Sequence, residues 1–205
     1  MFSMADYWPF DLARTGDVRV FHYTCPDNPS VFVRSAFRFD RSTGSLLLEA
    51  SSEQGRQSTW YLRHQPGFGV AEWRNDYPAT GWGGRIFGGK RIVFSEPIGW
   101  GDRLAVGHEF ANGPRVDMAR SRGCLPARGR QWLRLEGHHA TFTTANGASY
   151  GDVIQLVYRQ RFGRKTDGAR YWLARDVGPV ALQWAAPRPD TGEIVESGRF
   201  DAVVS

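Results

Sequence analysis

Trp82 and Trp100 stand between glycines, in Thr80-Gly81-Trp82-Gly83-Gly84 and Gly99-Trp100-Gly101, with Tyr77 and Asp76 shortly before the first. A ring flanked by glycines falls on a turn, where loops reach the surface. There a tryptophan offers an apolar face with a polar edge, on which the C–H face of a sugar can pack, while an aspartate accepts hydroxyl hydrogen bonds. Trp82, Trp100, Tyr77 and Asp76 are therefore the candidate ligand-binding residues. Nearby rings such as Trp60, Trp73 and Phe94 alternate with polar residues, as strand positions do, and are assigned to the core.

Other chemistries find less support. Glycoside hydrolysis needs two carboxyl groups held about 5 to 9.5 Å apart. Glu72, Asp76, Glu96, Asp102 and Glu109 lie in or near the aromatic tract, but Arg74, Arg85, Arg91 and Arg103 stand close enough to be their partners. The chain has no phosphate-binding glycine loop with its lysine, no Gly-x-Ser-x-Gly elbow and no His-Glu-x-x-His helix. His138-His139 and His108-Glu109 are adjacent pairs, and neighbours on a strand point to opposite faces, so neither pair suits one ion. No catalytic residue, metal site or cofactor is assigned. Cys25 and Cys124 are the only cysteines, too few for a disulfide framework or a four-ligand zinc site; a single long-range bridge and two free thiols both stay open.

The elements that must position these residues are strands. Period-two alternation marks Asp17 to Thr24, and Val31 to Phe39, where Val31, Val33, Phe37 and Phe39 face away from Arg34 and Arg38. Asp40 to Gly44 reads as a hairpin turn into Ser45 to Ala50. Further strands are expected at Thr59 to His64, Gly69 to Trp73, Arg91 to Ser95, Arg103 to Glu109, Gln131 to Glu136 and Ala140 to Thr144. Asp152 to Phe162, Arg170 to Arg175 and Val180 to Trp184 form a meander with local turns, and the tail from Asp190 adds an edge strand. One helix is expected, at Pro114 to Arg122, with proline near its start and Gly123 as its stop. The expectation is a single all-β domain over residues 1–205: an antiparallel β-sandwich or barrel of about a dozen short strands with at most one short helix.

Of the 26 basic residues only Lys90 and Lys165 are lysine, and the net charge is +5. The arginines are spread from Arg14 to Arg199, often alternating with apolar residues, so they read as solvent-facing strand positions and no nucleic-acid partner is expected. No run approaches the roughly 18 apolar residues of a membrane-spanning helix. The first residues lack the basic flank and apolar run of a secretory signal, which suits a virion or cytoplasmic location without fixing one.

Two spots carry a resemblance. Tyr7-Trp8-Pro9-Phe10, followed by Gly16 and the strand Val18 to Tyr23, resembles the "Y-x-P-L…G-x-x-W-x-Y" opening of small bacterial and phage-encoded β-sheet proteins of unassigned role. Tyr171-Trp172-Leu173-Ala174-Arg175-Asp176-Val177-Gly178-Pro179-Val180 is similar to their "Y-W-x-A-x-x-V-G-x-V" hairpin. Phe10 stands where leucine is usual, and Arg19 or Val20 where tryptophan often stands. The resemblance implies a fold element and carries no catalytic residue.

Three functions follow as expectations. The first is a non-enzymatic β-sheet protein acting by surface contact, a structural or recognition component of a phage tail or virion that meets neighbouring protein subunits or a surface glycan. The second is a carbohydrate-active enzyme using two of the carboxylates above. The third is an envelope-associated β-barrel that binds a small apolar ligand.

Overall fold

A computed structural model of the chain describes residues 1–25, 28–52, 57–63, 69–76, 90–99, 103–113, 115–117, 119, 129–162, 165–187, 194–196 and 198–204. Its strands are β1 (Phe2–Ser3), β2 (Val18–Cys25), β3 (Asn28–Asp40), β4 (Ser45–Ser52), β5 (Gln57–Arg63), β6 (Gly69–Asp76) and β7 (Lys90–Gly99). They continue as β8 (Arg103–Leu104), β9 (Glu109–Asn112), β10 (Gly129–Thr143), β11 (Ser149–Phe162), β12 (Lys165–Ala174), β13 (Gly178–Pro187), β14 (Ile194–Glu196) and β15 (Phe200–Val204). The fold is all-β and antiparallel.

Two meanders make the main sheet. β2 to β7 pair in sequence order, and so do β9 to β13. β15 lies between them, pairing Asp201–Val204 with Phe21–Thr24 on one side and Ala181–Leu182 with Phe200–Asp201 on the other. The tail is thus interior to the sheet and not the edge strand expected from sequence; only β14, on β13, occupies an outlying position. At the far ends, Phe94 of β7 bridges Val116, the Ser95 N–H donates to the Arg115 carbonyl at 2.9 Å and the Asp117 N–H to that of Val93 at 2.8 Å. The segment just after β9 therefore joins β7, bringing the two ends of the strand path into backbone contact.

That bridge also corrects the expected helix: Arg115 and Asp117 spend backbone groups on β7, and Pro114, Met118 and residues 120–122 lie outside the described residues. The helical turns are instead N-terminal, a 3-10 turn at Met4–Tyr7 and α1 at Leu12–Thr15. Gly16 stops α1 in the left-handed region, φ +76°, where glycine has no Cβ to clash.

Two strand expectations change. Arg103 to Glu109 divides into β8 and β9, because Gly107 turns the chain at φ +86°. Gln131 to Glu136 and Ala140 to Thr144 join into β10, because the pairing skips a residue between Leu135 and Gly137 instead of ending there. The hairpin at Asp40 forms as read: its carboxylate accepts from the Ser42 N–H (2.9 Å), the Ser42 hydroxyl (2.6 Å) and the Thr43 hydroxyl (2.8 Å).

One apolar cluster draws from both meanders. Phe21, Tyr23, Phe37, Leu46, Leu48 and Leu62 meet Leu133, Leu135, Ile154, Leu156, Leu173 and Leu182, with Phe200 and Ala202 of β15 among them. Into the same cluster the N-terminal segment sinks Met4, Tyr7, Trp8 and Leu12, all buried. Arg34 and Arg38 face solvent across β3 from Phe37, as the alternation requires.

Candidate functional site

Tyr77, Trp82 and Trp100 lie outside the described residues, as does Cys124. Asp76 ends β6, paired with Gln57. Glu109 is exposed on β9, opposite Arg134 of β10. The structure brings together a different set, at the seam where the N-terminal segment meets the β12–β13 turn.

Asp152 is its centre. The Tyr7 hydroxyl donates to its Oδ1 at 2.9 Å, His138 Nε2 lies 2.8 Å from the same oxygen, and Arg175 Nε donates to Oδ2. Arg175 also reaches the Asp6 carboxylate through Nη1 at 2.7 Å and the Tyr7 oxygen through Nη2 at 3.3 Å, with its guanidinium 5.0 Å above the Tyr7 ring. Backbone groups close the seam. The Asp176 N–H donates to the Asp6 carbonyl at 2.7 Å, and the Arg175 N–H to the Asp152 carbonyl at 3.1 Å.

Arg19 of β2 holds the same turn from the other side. Its Nη1 donates to the carbonyls of Asp176 (2.5 Å) and Val177 (3.2 Å), and its Nη2 to Asp11 just before α1 (2.8 Å). Pro9 packs on Gly178, where an added Cβ would lie 3.2 Å from the proline Cδ at φ +109°. The buried Tyr23 hydroxyl donates to the Pro179 carbonyl at 2.7 Å. Asp152 (φ +48°) and Asp176 (φ +57°) are the non-glycine residues with positive φ among those described, and both belong to this seam. Aspartate tolerates that region better than most residues, and surrounding contacts must hold it there.

The electrostatics are those of a clasp. Burial pushes the Tyr7 phenol up, and the Asp152 charge pushes it further, so it stays protonated. Burial also opposes the Asp152 charge, but donation from Arg175, Tyr7 and His138 outweighs it and holds the carboxyl below its ordinary value. A protonated phenol, an ionised carboxylate and a fixed guanidinium make a mutually satisfied set.

His138 and His139 do separate, as adjacency on a strand requires. Because of the shift at Leu135/Gly137, His138 pairs with Ile154, and its ring lies 4.8 Å from Phe2. His139 pairs with Val153, and its Nε2 lies 3.3 Å from the Gln155 Oε1. Among the described residues no group of three or more His, Cys, Asp or Glu is placed to share a metal ion. No helix among them is long and apolar enough to cross a membrane.

The two sequence spots carrying the resemblance prove to be in contact. Tyr7 and Pro9 of the first sit against Arg175 and Gly178 of the second. Sequence reasoning saw each as a separate strand feature. Arg19 belonged to the first, but nothing local tied it to the β12–β13 turn, and nothing local tied Asp152 to either spot. No protein-family model matches the chain, and neither a curated protein nor a solved structure matches it.

Proposed function

We propose that this chain is a non-enzymatic contact protein, a rigid β-sheet component of a larger assembly such as a phage tail or virion, meeting neighbouring subunits or a surface glycan. One observation carries the reading. The N-terminal segment fills the space between the meanders with Met4, Tyr7, Trp8 and Leu12 and is locked there by the clasp. Side chains that could otherwise line a cavity or act on a substrate are thereby committed to holding the scaffold, and contact falls to the outer surface. The burial of those four side chains in the common cluster also favours this reading over an apolar-ligand barrel. In it, Trp82 and Trp100 supply the glycan-facing rings.

The test is the state of the purified chain, by light scattering after size exclusion, together with a glycan array. Self-assembly or glycan binding is expected. Where a glycan binds, the double variant Trp82→Ala/Trp100→Ala should lose it with an unchanged melting temperature. A stable monomer that binds no glycan and no subunit of its assembly would overturn the reading.

A further inference from the structure

In the sequence the arginines are scattered; in the fold, five converge on one face. β10 turns Gln131, Leu133 and Leu135 inward, so Arg130, Trp132 and Arg134 face out. Register then sets Arg161 beside Arg130 and Arg159 beside Trp132, with Val157 between Arg134 and Arg170 of β12. Arg130, Arg134, Arg159 and Arg161 are exposed and Arg170 is half-buried. The acidic residues described on this face are Glu109, opposite Arg134, and Glu136, whose Oε2 lies 3.4 Å from Arg170 Nε. Among the described residues of this face positive charge exceeds negative, and it does so around an aromatic ring: the Arg130 guanidinium lies 5.0 Å from the centroid of Trp132, which is partly exposed.

We propose that the outer face of β10–β12 binds single-stranded nucleic acid without sequence preference. An extended polyanion needs cations spaced along its path, and guanidinium groups take phosphate oxygens bidentately. Arg130 to Arg134 covers roughly 14 Å of strand, with Arg159 and Arg161 one strand spacing away, so a few nucleotides can lie across the set. Trp132 supplies what a purely electrostatic surface lacks, a flat ring on which an unpaired base can stack, with Arg130 adding a cation. A duplex buries its base faces and would leave the ring unused. This contact is independent of the subunits or glycans touched elsewhere, so its failure would leave the contact-protein reading standing.

The experiment is fluorescence anisotropy of a labelled oligothymidylate titrated with the whole chain across a series of salt concentrations, with heparin as a base-free polyanion in parallel. Oligothymidylate should bind at low salt, with log K falling by about 0.7 per phosphate contacted for each decade of salt. Arg134→Gln/Arg159→Gln, at exposed positions that leave the core intact, should reduce that slope by about 1.4. Trp132→Ala should weaken oligothymidylate roughly 5- to 150-fold with the slope retained, and Trp132→Phe should restore most of the loss. Heparin binding should ignore Trp132. Absence of oligothymidylate binding at low salt would overturn the proposal. So would affinity indifferent to both sets of variants, or heparin binding that depends on Trp132 as strongly as oligothymidylate does, which would assign the face to an acidic glycan.

Discussion

Tyr7 takes a charge on each side, with Arg175 above its ring and Asp152 at its hydroxyl. Removing the hydroxyl in Tyr7→Phe leaves Asp152 to Arg175 and His138, at an expected cost of about 1 kcal/mol near neutral pH. The pH dependence gives a sharper signature. The phenol pKa is raised on folding, so its contribution is complete below the unfolded value of about 10 and is lost as pH rises beyond it toward the folded value. In urea unfolding, the gap between wild type and Tyr7→Phe should therefore narrow above about pH 10; curves that fall in parallel would show that the phenol is not held this way. Asp152 works with the opposite sign. Its carboxyl is lowered on folding, so its contribution is present above about pH 4 and lost as pH falls further.

Of the described glycines, Gly168 in the β11–β12 hairpin has the least room for a side chain. A Cβ on Gly168 would come 2.4 Å from the Tyr158 carbonyl oxygen, a backbone atom in the partner strand that cannot swing aside. Gly168→Ala should cost at least about 2 kcal/mol by forcing the strands apart. Gly44→Ala, in a turn with nothing near its Cβ but φ +63°, should cost only about 1 kcal/mol. Thermal melts of the two variants would order them, and equal losses would remove the steric account. Most of this pairing was legible in the chain, since alternation in β2, β3 and β11 and the Asp40 turn are local signals. Gly137 was not, because a glycine in a strand run can mark a break as readily as a bulge. The clasp was legible only in halves. Tyr7-Trp8-Pro9 and Arg175 to Gly178 each stood out, but their contact spans 168 residues between Tyr7 and Arg175, and no periodicity encodes such a meeting. The basic face was invisible for the same reason: Arg134 and Arg159 become neighbours only through register.

For the whole molecule, β15 is the joint. Phe200 and Ala202 are buried in the common core, and Asp201 is buried with Arg199 Nε 2.7 Å from its Oδ1. A chain ending at Gly198 should lose the strand pairing that joins β2 to β13, and its denaturant unfolding should broaden into separate, weaker transitions or give way to aggregation; one sharp transition of native size would refute that role. The same placement sets an order of events during synthesis. β2 is made before β13, yet Phe21–Thr24 of the one and Ala181–Leu182 of the other both wait for Phe200 to Val204 before they are paired on that side. Until those residues leave the ribosome, two rows of open backbone groups face each other across a gap. The nascent chain is then most exposed to pairing with a stranger in the interval before Phe200 to Val204 are made.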